Sequence, residues 1–84
     1  MSYIIKIKSE VKKYLLTFDK SFRIRISRCI NELSDNPRPY GCKKLKNCDA
    51  YRIRVGDYRV VYEIDDNVLV ILVIRVAYRK EVYQ

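Results

Sequence analysis

Residues 51–83 read YRIRVGDYRVVYEIDDNVLVILVIRVAYRKEVY, and the fold turns on how this stretch pairs with itself. Its alternating runs are separated by Gly56-Asp57 and by Asp65-Asp66-Asn67. A Gly-Asp pair between two such runs is a strong hairpin signal. With Gly56-Asp57 as a two-residue loop, Val55 faces Tyr58, Arg54 faces Arg59, Ile53 faces Val60 and Arg52 faces Val61. With Asp65, Asp66 and Asn67 in the next loop, Ile64 faces Val68, Tyr62 faces Val70, Val61 faces Ile71 and Arg59 faces Val73. Side chains alternate faces along a strand. One face then carries Tyr51, Ile53, Val55, Tyr58, Val60, Tyr62, Ile64, Val68, Val70, Leu72, Ile74 and Val76, and is expected to lie under helices. The other carries Arg52, Arg54, Arg59 and Arg75 around Val61, Ile71 and Val73.

Arg54 opposite Arg59 is the informative pair. Like charges directly opposed on a sheet cost roughly 0.2–1 kcal/mol, and a polyanion bound across them would offset that cost. Guanidinium forks suit phosphate geometry, so this face is expected to bind anions. The plainer alternative is a solvated basic face screened by Asp57 and Glu63.

Outward from this stretch, composition sets the bounds. The chain has 84 residues, enough for one small α+β domain spanning 1–84, and a formal net charge of +8 with no histidine. Such a charge points to nucleic acid, an acidic protein partner, or both, and the missing imidazole argues against histidine acid–base chemistry. Cys29, Cys42 and Cys48 are odd in number and form no C-x-x-C. Neither a disulfide framework nor a metal site is expected, and no cofactor-binding motif is present. A reducing cytoplasm is the simplest compartment. The N-terminal MSYIIKIK is too short an apolar run for a signal peptide, and no stretch suits a membrane span.

In chain order, Tyr3, Ile5 and Ile7 alternate with Ile4, Lys6 and Lys8, a half-buried strand. Ser9 is expected to cap a helix whose stripe is Val11, Tyr14, Leu15 and Phe18. Asp19 caps a second helix, Lys20 to Leu33, with Phe22, Ile26, Cys29, Ile30 and Leu33 inward and Arg23, Arg25 and Arg28 outward or marginal. Asn36-Pro37 ends it. Pro37 to Asp49 is a basic connector with at most a short irregular strand near Lys43–Leu45. Its Lys43, Lys44 and Lys46 are a candidate patch flanking the arginine face, with Lys44 and Lys46 taken to hold phosphate; the alternative is a solvated connector. The order β-α-α-β-β-β implies an antiparallel sheet with an α-hairpin packed on one face. Beyond the last strand, Arg79 and Tyr83 are four residues apart and able to turn onto the basic face, where a tyrosine plane could stack a base for about 1–3 kcal/mol.

The run YRIRVGDYRVVYEIDD with VLVILVIRVAYRKEVY, together with Lys43-Lys44-Leu45 and the preceding helices, resembles the RelE branch of the RelE/ParE superfamily of type II toxins. The resemblance implies a metal-independent endoribonuclease that cuts mRNA in the ribosomal A site, with an acidic, RelB-like antitoxin as partner. It implies catalytic roles for Arg59 (phosphate stabilisation), Arg79 (leaving group) and Tyr83 (stacking and orientation). Arg52 and Arg54 stand where well-known members have lysines, and Tyr78 where many have histidine. Arginine stays protonated, so Arg52 and Arg54, with Arg75, Lys44 and Lys46, are assigned to phosphate binding. The acceptor of the 2′ proton stays open among Tyr83, Lys46, Glu63 and ribosomal RNA. Two other readings are a ParE-like gyrase inhibitor without nuclease activity and an inactive RNA-binding relative.

Overall fold

The computed structural model describes residues 2–46 and 48–78. The elements run β1 (Ile4–Ile7), α1 (Ser9–Leu15), α2 (Lys20–Glu32), β2 (Lys43–Lys44), β3 (Ala50–Val55), β4 (Tyr58–Asp65) and β5 (Val70–Tyr78). The strands form one sheet in the order β1-β5-β4-β3-β2, and the α+β class is as expected. The sheet is mixed rather than purely antiparallel, because β1 joins β5 in parallel. Alternation along β1 could not reveal this. Ile5 and Ile7 point inward whichever way the strand runs, and here they pair with Ile71 and Val73. The connector contributes β2, a two-residue strand on the outer edge of β3.

The β3–β4 hairpin has the register expected from Gly56-Asp57, from Val55 opposite Tyr58 down to Ala50 opposite Glu63. Gly56 takes φ +60°, and a Cβ there would lie 3.3 Å from Cε1 of Phe22. The hairpin tip therefore sits directly against the first turns of α2. Around it Phe18, Phe22 and Tyr58 pack with ring centroids 4.9–5.5 Å apart, and Tyr78 meets Tyr58 edge-on at 5.6 Å.

The β4–β5 hairpin departs from expectation. Asp65 pairs with Val70, so the turn holds Asp66 to Leu69, and Arg59 faces Ala77 instead of Val73. Asp65 Oδ1 accepts the amides of Asn67 at 3.0 Å and Val68 at 3.4 Å, and Leu69 adopts φ +56° to close the loop. A register shift then falls at the Val61/Tyr62 step: Val61 pairs with Arg75 but Tyr62 with Val73, leaving Ile74 as the extra residue of a bulge. The bulge reverses the face of every β5 residue before it. Ile71 and Val73, expected outside, are fully buried in the core, while Val70 and Leu72 lie on the other face and Val68 is 62% exposed in the turn.

The helices cover the inward face. Val11 and Leu15 of α1 and Ile26 and Ile30 of α2, with Leu33 just beyond it, meet Ile53, Val55, Val60, Tyr62, Ile71, Val73 and Val76. Cys29 packs on this core, as its position on the apolar stripe implied. Asp19 caps α2, its Oδ2 accepting from Ser21 Oγ at 2.7 Å and Phe22 N at 3.4 Å; these bonds hold its carboxyl below the usual range. Ser9 is not a cap but the first residue of α1, whose N-cap Lys8 offers no side-chain acceptor. No helix among the described residues is long and apolar enough to cross a membrane.

Candidate nucleic-acid interface

On the face away from the helices, register sets cationic side chains in two rows across the sheet. One row reads Lys43, Arg52, Val61, Arg75; the next reads Arg54, Arg59, Ala77. None of these seven described positions carries a carboxylate. Directly opposed residues place their Cβ atoms about 4.5–5.5 Å apart, and positions two along a strand are separated by about 7 Å. Arg52, Arg54 and Arg59 thus form one tight group, with Arg75 roughly 10 Å from Arg52 across the strand that carries Val61.

Burial within the array is uneven. Arg59 is 2% exposed and Arg52 6%, whereas Arg54 and Arg75 are exposed. Arg59 is the second residue of β4 and Arg52 the third of β3, so two planar guanidinium forks are set into the sheet near the Gly56-Asp57 turn. Arg52, Arg59 and Arg75 each interact with other groups of the chain, which holds them in place. The geometry suits a ligand with several anionic oxygens: an exposed pair to receive it and a buried pair behind to orient it.

The structure therefore brings together Arg52, Arg54, Arg59 and Arg75 from the expected set. It does not bring Lys44 with them. Lys44 pairs with Tyr51 and so takes the other face, and its Nζ lies 3.7 Å from Asp49. Lys43 occupies the place beside Arg52. The sequence shows two adjacent lysines, and only the length of the turn after them decides which one shares the arginine face. Lys46 is exposed just past β2. Arg79 and Tyr83 lie outside the described residues. Among the described residues there is no cluster of metal-ligating side chains.

A second polar assembly, not visible in the sequence, centres on Arg38. Its Nη2 meets Asp66 Oδ2 at 3.0 Å, its Nε donates to Tyr51 Oη at 3.3 Å, and its guanidinium lies 5.1 Å over the Tyr51 ring. Tyr3 Oη donates to the other oxygen of Asp66 at 2.6 Å. Tyr51 stacks on Tyr62, whose hydroxyl donates to Pro37 O at 2.6 Å. The bond from Arg38, then that from Tyr3, holds the Asp66 carboxyl below its ordinary range; the bond to Asp66 pushes the Tyr3 phenol up, and those to Asp66 and Tyr51 hold the Arg38 guanidinium more firmly protonated. Burial, followed by the proximity of Cys42, pushes the Tyr62 phenol well above the usual tyrosine range. This assembly ties the connector to β1, β3 and the β4–β5 turn, away from the arginine rows.

Against known proteins, the family model described as "ParE toxin of type II toxin-antitoxin system, parDE" matches residues 5–83. The toxin RelE3 of Methanocaldococcus jannaschii is 35% identical over 65 residues, covering 76% of this chain and 72% of that protein. Among solved structures, the archaeal RelE–RelB complex of Pyrococcus horikoshii OT3 contains a chain 32% identical, with TM-score 0.85 over 94% of this chain and 97% of that one. The intact RelBE toxin–antitoxin complex of Escherichia coli gives 25% identity and TM-score 0.79 over 92% and 96%.

Proposed function

This chain belongs to the RelE/ParE superfamily of type II toxins and is RelE-like within it, and on that premise we propose that it is a ribosome-dependent endoribonuclease that cuts mRNA in the A site. The observation that carries this reading is the two-row cationic array, with Arg59 nearly buried at its centre and facing Arg54. In the reaction the 2′-hydroxyl of one nucleotide attacks the adjacent phosphorus while the bond from phosphorus to the 5′ oxygen breaks. The products are a 2′,3′-cyclic phosphate, or the 3′-phosphate it opens to, and a 5′-hydroxyl. Negative charge grows on the phosphoryl oxygens at the transition state, and preorganised donors stabilise it there more than in the ground state. Arg59 is assigned that role, with Arg79 at the leaving oxygen and Tyr83 stacking the substrate. Arg52, Arg54 and Arg75, with Lys46 and the adjacent Lys43, hold flanking phosphates. Lys44, turned to the other face and 3.7 Å from Asp49, is left out of this set.

The partner in this reading is an acidic RelB-like antitoxin, supported by the net charge of +8 and by the complexes in which the related toxin chains sit. Residues 1–84 act as one toxin domain, and the site of action is the cytoplasm, where ribosomes are. A second reading is gyrase inhibition of the ParE kind, favoured by the name of the matching family. A third is an inert RNA-binding relative, favoured by Arg52 and Arg54 in place of lysines and Tyr78 in place of histidine.

Two assays on one preparation separate these readings. Purified protein is incubated with mRNA, with and without ribosomes, and in parallel with gyrase and relaxed plasmid. Cuts that require ribosomes, without loss of supercoiling, are expected. Gyrase inhibition without cuts overturns the nuclease, and an absence of both at high protein concentration leaves the inert relative.

A further inference from the structure

Toward the β4–β5 turn the same open face changes character. Beyond the arginine rows, register sets Glu63, Leu72 and Lys6 side by side, then Asp65, Val70 and Ile4. Ile4 is 62% exposed, as is Val68 at the turn beside it. A concavity of about 790 Å³ is lined by Lys6, Asp49, Glu63, Asp65, Val70 and Leu72, among others. Its lining mixes Ile64, Val68, Val70 and Leu72 with a surplus of carboxylates: Asp49 is part-neutralised by Lys44 at 3.7 Å, Asp66 by Arg38 at 3.0 Å, and one oxygen of Asp65 is engaged by the turn amides, while Glu63 adds a further charge. Exposed aliphatic side chains ringed by charge mark surfaces that a partner covers.

The two halves of this face demand opposite partners. An acidic segment is drawn to Arg52, Arg54, Arg59 and Arg75 but repelled by Glu63, Asp65 and Asp49. An RNA backbone is repelled there too, and gains nothing from Ile4, Val70 and Leu72. The halves are close: from Arg75 to Leu72 and Val70 along β5 is roughly 10–15 Å, which about four extended residues or eight to ten helical ones would bridge. We propose that the antitoxin segment covering the arginine rows continues onto this patch and there changes from acidic to apolar and basic. The proposal rests on the reading that an antitoxin neutralises the arginine face, and it adds the chemistry that face requires of it. A bipolar segment gains from linkage, since seating one half raises the effective concentration of the other.

The test uses the full chain and labelled synthetic peptides read by fluorescence anisotropy: a Glu/Leu peptide, a Lys/Leu peptide, and chimaeras joining the two in either order. One chimaera is expected to bind at least about tenfold tighter than the Glu/Leu peptide alone. The double variant Ile4→Lys/Val68→Lys, at two exposed positions and checked for folding by circular dichroism, is expected to abolish that gain while leaving Glu/Leu affinity unchanged. Chimaeras no tighter than the Glu/Leu peptide, or a gain that survives in the double variant, overturn the proposal. Failure of the Glu/Leu peptide to bind sinks the neutralisation reading instead, since the Lys/Leu peptide then still binds wild type and still loses to the double variant.

Discussion

Arg54 and Arg59 stand directly opposite one another on the face turned away from α1 and α2, and a protein selected for stability alone has no use for that pair. Replacing exposed Arg54 by threonine removes the repulsion and adds a β-branched residue suited to a strand. Thermal unfolding of Arg54→Thr is expected to show a gain of about 0.2–1 kcal/mol while mRNA cleavage falls; a loss of stability would mean the pair is not strained. Tyr62 makes a different prediction. Its phenol is buried and donates to Pro37 O, and burial pushes it above the usual tyrosine range. A folded-state pKa raised in this way contributes stability that is complete below the unfolded value and is lost as pH rises through the folded one. Denaturant titrations of wild type are therefore expected to weaken above about pH 10. Tyr62→Phe should be less stable at neutral pH by about 1 kcal/mol and should lose part of that alkaline slope; identical slopes would remove Tyr62 as a cause. At this scale the sequence was partly legible. Gly56-Asp57 alone fixed Arg54 against Arg59, whereas nothing in Lys43-Lys44 says which lysine joins Arg52. Arg38, the hub of the second assembly, lies in a connector with no periodicity to place it.

Among the elements, β5 separates what alternation can show from what it cannot. The run VLVILVI contains no polar residue, so it has no phase. The bulge at Ile74 exploits that freedom, allowing Val73 and Val76 to point inward together while Arg75 stays with the arginines. Had β5 been regular, Leu72 would be core and Ile71 outside. Ile71→Ala is expected to cost about 2–5 kcal/mol, and Leu72→Ala clearly less, as read by urea midpoints; the reverse order would restore the regular strand. The parallel placement of β1 was hidden for a related reason, since burial of Ile5 and Ile7 is indifferent to strand direction. The α2 stripe, by contrast, was legible to within a residue, because Asp19 and Asn36-Pro37 bound a clear helical period.

At the scale of the whole molecule, the fold is a platform with one face committed to the core and the other to charge. The helices cover Ile53, Val60 and Tyr62 on one side of the sheet, and Arg52, Arg54, Arg59 and Arg75 lie on the other. The charge of +8 is spread more widely than this face: Lys12 and Lys13 of α1 and Arg25 and Arg28 of α2 are exposed on the helical side, while Arg52 and Arg59 are nearly buried within the charged face. Whether this face cuts mRNA on the ribosome is tested most directly by primer extension on an mRNA under translation. Wild type, Arg59→Lys and Arg79→Ala are compared, each with and without ribosomes. Wild type is expected to cut within codons only when ribosomes are present. Arg79→Ala should fall about 100-fold or more, and Arg59→Lys, which keeps the charge but loses the planar fork, should also fall. No cuts from folded wild type, or equal cutting by all three proteins, would contradict the claim.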